Sequence, residues 1–425
     1  MNRGRGHESL IVLTAAWILF SGVLASGPSQ AETSEQTTAC QSPYQQAKLS
    51  QHMLEDVLHR HKKWLVNRED QEGQKANLCG ADLQELDLRE VDLSGANLSE
   101  AKMIHADLSG GKFVKANFQK ANLRQASLSL SDLREANFSG ANLHAANLRK
   151  ADIARGNFFQ ANLREVNLSE AYLSLANFQE AHLDDGYLKG ANLDGANLTQ
   201  ASFRAADLQG ASLHRALLRK ANMAQADLFQ AELQEADLQG ANLDQAELHG
   251  ANFNEANLQQ ASLRGANLER GIFYRANLHL ADLTEANLQE ADLLLADLSQ
   301  AHLRGAGLDE AYLAKANLRE ADVEGADFSW ANMADADLRS ANLTRVVLFN
   351  TNMQEANLSG ARFPEADMRG TDIRKAVLTK ADLRNTSMKF VLGLTQEQLN
   401  AACVGERTSL PKGLTRPTPC PTKAD

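Results

Sequence analysis

From Ala76 to Met388 the chain repeats a five-residue unit without one slip of register, and that period restricts the fold more than any other property. The run holds 63 consecutive pentads, and "ANLDQAELHGANFNEANLQQASLRGANLER" at residues 241–270 is representative. The third place is Leu, Phe, Met, Ile or Val throughout; the first is Ala in 51 pentads and otherwise Gly, Ser, Thr, Val or Leu. The middle place between them is mostly Asn or Asp, and the last two take Arg, Glu, Gln, Ser, Lys or Gly freely. Five residues advance an α-helix by about 500°, so the Leu positions would smear around the cylinder. A flat strand alternates its faces with period 2, so an odd period would flip the apolar set at each repeat. The pattern works if each pentad is a short extended side ending in a bend, with Leu and the Ala two residues earlier pointing inward.

Four right-angle bends would close a coil of 20 residues, and the phenylalanines supply an independent check. Phe118, Phe138, Phe158 and Phe178 stand 20 residues apart, and Phe253 and Phe273 repeat the step. Rings stacked on one inner wall would produce this spacing. Asn and Asp suit the bends because they bond nearby backbone and tolerate unusual dihedrals.

On these residues the sequence resembles the pentapeptide-repeat family, whose motif A(D/N)LXX is seen in "ADLQGANLDQ"; the likeness covers about three quarters of the chain. The resemblance implies an all-β fold, a right-handed quadrilateral β-helix. Nearly 16 coils at about 4.8 Å each give a rod of about 75 Å. Unpaired end coils are exposed sheet edges, so short helical caps are expected at both ends.

The organisation expected is a signal peptide over 1–31, an N-terminal linker and capping helix over 32–75, the β-helix over 76–390, and a C-terminal cap over 391–425 with a short helix and a Pro-rich tail. Arg3 and Arg5 precede an apolar run from Leu10 to Leu24, and Ser29 and Ala31 place small residues before the cleavage point. The run is short for a bilayer span of about 20 residues. Export to a bacterial periplasm or beyond the cell follows, with no transmembrane segment in the mature chain. Leu54, Val57, Leu58, Trp64 and Leu65 have helical spacing, and His52, His59 and His61 beside them read as solvated. Thr395 followed by Gln398 is a capping-box pattern. Four cysteines, Cys40, Cys79, Cys403 and Cys420, lie two near each end. In an exported chain they point to disulfides, and across so long a rod only the local pairs Cys40–Cys79 and Cys403–Cys420 can close.

No catalytic arrangement, phosphate loop or metal motif is present, so neither an enzyme nor a cofactor or small-molecule substrate is expected. The histidines within the repeats, such as His144, His214 and His279, scatter over all four faces. Some relatives resemble a B-DNA rod and bind DNA gyrase through surface carboxylates, which makes mimicry the alternative function. The repeats carry 43 acidic against 31 basic residues, and the most acidic face gathers Asp207, Asp227, Glu247, Glu290, Asp309, Glu310 and Asp327. That field is diluted by Arg and far below duplex DNA's charge of one per ~1.7 Å, so nucleic-acid mimicry is not the primary reading. A partner protein or self-association is. Its candidate surface is a set of apolar residues at outward places: Ile272, Tyr274, Leu294, Leu295, Tyr312, Trp330, Val347 and Phe349. The first five share one face in three successive coils, and the rest continue on the adjoining face. A C-terminal tail folded over them would be the structural explanation instead.

Overall fold

The computed structural model describes residues 40–417. The signal segment 1–31 and Cys420 lie outside the described residues. Among those described there is no multi-residue strand. The second residue of a pentad instead forms a single parallel bridge to the residue 20 further on, as in Asn77 to Asn97, Asn97 to Asn117 and onward to Asp367 with Ser387. Each turn of the chain therefore contains four pentads, and pentads 20 residues apart stack in four columns. Column one begins at Ala76, column two at Ala81, column three at Leu86 and column four at Val91.

The pentad 96–100 shows why five residues suffice. The Ala96 N–H donates to the Leu93 carbonyl at 3.0 Å and closes a tight turn. The Asn97 N–H reaches back one turn to the Ala76 carbonyl at 3.0 Å, and the Leu98 N–H reaches forward to Asn117 at 2.7 Å. The Glu100 N–H goes forward to the Gln119 carbonyl at 2.9 Å. Only the fourth N–H, of Ser99, has no backbone acceptor, and the Asn97 Oδ1 takes it at 3.2 Å. Every backbone donor is thus accounted for, as burial beside a core requires. Asn or Asp, present at the second place in 43 of the 63 pentads, supplies that acceptor.

The turn carries a feature beyond the expected bend. Each fifth residue from Gly80 to Asn385 has φ between 53° and 75°, whether it is Gly or not. A left-handed third residue with an i to i+3 hydrogen bond marks type II geometry. The unusual dihedral therefore falls on the fifth place, not on the Asn or Asp expected to tolerate it. No Val, Ile, Thr or Pro occupies any of these fifth places, which fits the cost of φ > 0 for branched side chains and its impossibility for Pro.

The interior is made of the first and third residues of each pentad, which are buried almost without exception. Phe118, Phe138, Phe158 and Phe178 stack with centroids 4.7, 4.9 and 4.6 Å apart. Phe253 and Phe273 stack at 4.9 Å. Outside the core, the Asn side chains of column one form a ladder: Asn157 donates from Nδ2 to Asn137 Oδ1 at 3.1 Å and accepts from Asn177 at 3.0 Å.

At the N-terminal end, Lys48 pairs in parallel with Asp82. Helix α1, Gln51–Val66, follows, with Ser50 accepting from the Met53 N–H as its N-cap. Leu49, Leu54 and Val57 join the core. His52 and His59 are exposed, but His61 is fully buried, correcting the expectation that all three are solvated. Its Nδ1 accepts the Ala76 N–H at 3.0 Å, and its ring stacks on Trp64 at 5.3 Å. Burial lowers its pKa, outweighing the nearby Asp92. Cys40 and Cys79 form the expected disulfide. At the other end, helix α2, Gln396–Ala401, begins with the capping box of Thr395 and Gln398. The Gln398 Nε2 also bonds the Ile373 and Ala376 carbonyls at 3.0 and 2.9 Å. Cys403 bridges to Asp382, and Ser409 to Ser387, so pairing continues past residue 390.

Candidate interaction surface

The hydrogen-bond scheme of the pentad decides what an outward apolar residue costs. Ile272, Tyr312 and Val347 stand at second places and cannot accept the fourth N–H. Among the described residues, the N–H groups of Tyr274, Ala314 and Phe349 make no hydrogen bond. Trp330 and Leu295 stand at fifth places with φ of 62° and 60°. A bulky residue pays for that conformation, and burial does not repay Trp330, which is 61% exposed.

The structure leaves all eight sequence-predicted residues at the surface. Ile272, Leu295, Tyr312 and Trp330 are exposed, while Tyr274, Leu294, Val347 and Phe349 are half-buried. Trp330 meets Phe349 edge to face at 5.7 Å, and the Arg369 guanidinium lies 5.6 Å from the Phe349 ring. The Arg275 guanidinium is 5.1 Å from Tyr274. The described tail bonds to the last turns, as Gln398 to Ile373 and Thr408 to Leu383 show.

Sequence reasoning missed part of this surface. Leu130, Tyr172, Leu175, Tyr187, Phe229 and Phe390 are also exposed. They too belong to columns three and four, and the same test of apolar residues at second, fourth and fifth places would have found them. Leu217 and Val377 are exposed in column one, and column two has no exposed large apolar residue.

The charged residues have mostly structural partners. Where Asp is second and Arg fourth, the two pair within one pentad: Arg89 grips Asp87 at 2.9 and 2.6 Å, and that hydrogen bonding holds the Asp87 carboxyl down to about 2. Asp132 with Arg134, Asp337 with Arg339 and Asp372 with Arg374 repeat the arrangement. Other pairs span one turn, such as Arg270 with Glu290 at 2.8 Å. Beside Tyr274 lies an open depression lined by His214, Glu232, Glu235 and Glu255. Its Glu235 is held by Arg215 at 2.8 and 3.0 Å. No cluster among the described residues has the makings of a metal site.

A stack of 20-residue turns with an inner wall of Ala, Leu and Phe defines a β-helical solenoid whose distinctive surface is apolar. The family model for Pentapeptide repeats matches in segments running from residue 74 to residue 389, and the chain belongs to that family of right-handed β-helices. No curated protein sequence matches it. Among solved structures, the chain is 35% identical to HetL, a pentapeptide repeat protein involved in heterocyst differentiation regulation from the cyanobacterium Nostoc sp. strain PCC 7120. That match covers 50% of this chain and 90% of HetL, with a TM-score of 0.28. A pentapeptide repeat protein from the Arabidopsis thaliana thylakoid lumen is 33% identical over 24% of this chain and 70% of its own, with a TM-score of 0.23. Rfr23 from the cyanobacterium Cyanothece 51142 is 24% identical over 33% and 89%, with a TM-score of 0.23.

Proposed function

We propose that this protein is a non-enzymatic, exported solenoid that acts as a protein-interaction or structural module, through the surface built from Ile272, Tyr274, Leu294, Leu295, Tyr312, Trp330, Val347 and Phe349. The observation that carries this reading is the cost of those residues. Three of them give up the acceptor that the fourth N–H needs, and Trp330 holds φ > 0 while staying mostly in water. None of the eight is fully buried in return for these costs, whereas aromatic anchors are favoured where partners bind. In this reading the rod is four-sided, with about 16 coils and a length of about 75 Å. Residues 32–75 and 391–425 close its ends, α1 and α2 covering backbone that would otherwise be open sheet edge.

Export rests on the signal-like segment 1–31 and on the Cys40–Cys79 disulfide, since such bonds persist in oxidising compartments. No described helix is long and apolar enough to cross a membrane. Intact-mass measurement on protein from an envelope fraction tests this: loss of residues 1–31 supports it, and a cytoplasmic product retaining Met1 counts against it. The expected Cys403–Cys420 pair is checked by non-reducing peptide mapping. DNA mimicry is the weaker reading, because the acidic face is sparse along the rod, its Glu290 is held by Arg270, and export points away from a nucleic-acid enzyme as partner.

The surface is tested by changing Tyr274, Leu294 and Trp330 together to Ser. None is buried, so the thermal transition should stay nearly unmoved. In analytical ultracentrifugation a dimer should become monomer, or capture of the partner should be lost. A variant that unfolds would assign these residues to the fold instead, and one that changes neither property would remove the surface.

A further inference from the structure

The exposed large apolar residues of the repeats are not scattered around the rod. Leu130, Tyr187, Phe229, Trp330 and Phe390 belong to column three, and Tyr172, Leu175, Ile272, Leu295 and Tyr312 to column four, which adjoins it. Column one has only Leu217 and Val377, and column two none. The solenoid is amphipathic around its own axis, and its apolar side includes the run from Ile272 to Phe349.

Many surface carboxylates are neutralised by a cation of their own or the next turn, as Asp184 is by Arg164, Asp282 by Arg264, Glu324 by Arg304 and Asp382 by Arg384. Around Trp330 a group of them is not. Asp309, Glu310 and Asp327 in column three, and Asp292 and Asp335 in column four, have no ion-pair partner within 4 Å among the described residues. Glu310 and Trp330 occupy the same fifth place in successive turns, and the Glu310 N–H donates to the Ser329 carbonyl at 2.8 Å. Of the nearby cations, Arg275 faces Glu255, Arg369 lies on the Phe349 ring and pairs with Asp367, Lys375 pairs with Glu355, and Lys315 stands in the turn of Tyr312. A second copy seated on this surface would bring carboxylates of the same sign against it, which is costly when water is excluded.

We infer that columns three and four around Trp330 bind a cationic, apolar segment of another protein, its Arg or Lys side chains meeting Asp309, Glu310 and Asp327 while its apolar side chains pack on Tyr312, Trp330 and Phe349. This rests on the reading of the same residues as an interaction surface and names the chemistry of the partner. A guanidinium can stack on an aromatic face and bond a carboxylate at once, and the surface offers both within adjacent turns.

The test uses the full mature chain and two synthetic peptides, one alternating Arg and Lys with Leu and Phe, the other with Glu in place of the basic residues. Binding is read by titration calorimetry and by tryptophan emission in a Trp64→Phe background, where Trp330 is the emitter. The variant D309N/E310Q/D327N removes the charge; Asn at position 327 keeps the acceptor for the Ser329 N–H, as Asn97 does for Ser99. The control E165Q/D185N/E285Q removes the same charge from exposed carboxylates of column two. The basic peptide should bind and shift the Trp330 emission. The first variant should weaken it by about tenfold or more and flatten its salt dependence, while the control stays within about twofold. Equal weakening by both variants, equal affinity for the Glu peptide, or no binding of the basic peptide overturns the inference. If the basic peptide fails while Y274S/L294S/W330S dissociates a dimer, the surface reading survives with a second copy as occupant. If that variant also changes nothing, both readings fall.

Discussion

The ring of Phe138 lies 3° from parallel to that of Phe158, with 4.9 Å between centroids. The two residues are 20 positions apart, so one turn of the chain advances by the thickness of one stacked ring, close to the spacing of paired backbones. The inner wall and the backbone ladder therefore share a single repeat, and neither is strained to fit the other.

Removing one ring from that column should be expensive. Phe138 is fully buried between Phe118 and Phe158, and a hydrogen-bonded wall cannot collapse into the gap. Phe138→Ala should destabilise the protein by about 3–5 kcal/mol. Chemical denaturation followed by circular dichroism gives the value; a loss below about 1 kcal/mol would mean the column contributes little beyond area.

The fifth place of the pentad should tolerate glycine and reject a β-branched residue. Gln160 has φ of 53°. Gln160→Gly should be nearly neutral, since relief of the left-handed conformation offsets added chain entropy. Gln160→Val should cost about 1–2 kcal/mol. Thermal melts of the two variants side by side decide it, and equal melting temperatures would show that the turn re-forms with another geometry.

The N-terminal helix should loosen in acid. Burial lowers the His61 pKa below its ordinary value of 6.5, with Lys75 acting in the same direction and Asp92 and the Ser94 backbone opposing. A detached α1 would take up a proton that the docked helix refuses. Docking stability is therefore fully present above about pH 6.5 and is lost progressively as the pH falls from there through the lower folded value. Hydrogen exchange of residues 51–66 from pH 8 to pH 5 should show protection falling in α1 before the coils. His61→Asn keeps an acceptor for the Ala76 N–H and does not titrate, so its protection should not change through this window. A wild-type profile equally flat would rule out His61 as the cause.

The Cys40–Cys79 bond closes a segment of sequence separation 39 that includes α1. On chain-entropy grounds such a loop contributes about 4 kcal/mol. Cys79→Ser should release residues 40–66 to limited proteolysis while the main melting transition of the coils moves little. A transition lowered as much as the helix protection would mean that unfolding starts at this end and spreads.

Much of the fold is legible before any coordinates. A period of five excludes helix and flat strand, the constant third residue identifies the core, and the Phe spacing counts the pentads per turn. The capping box at Thr395 and Gln398 was readable too, because its bonds lie within four residues. The fourth N–H was not: its need for Asn97 Oδ1 appears only once the other four donors have been assigned to neighbouring turns. The left-handed fifth place left a trace in the sequence, the absence of Val, Ile, Thr and Pro, whose meaning depends on a turn not yet seen.

Local pattern determined the class of fold, the inward residues and the outward apolar set, because those follow from periodicity along the chain. Tertiary structure decided what periodicity cannot. His61 is polar by composition and histidine by type, yet packing against Trp64 and the Ala76 N–H buried it. Trp330 and Phe349, nineteen residues apart, became an edge-to-face pair, and among the described residues Glu310 has no cation within 4 Å while Glu290 pairs with Arg270. Each of these outcomes depends on which side chain of the next turn comes within a few ångströms, and that distance is set by the coil as a whole.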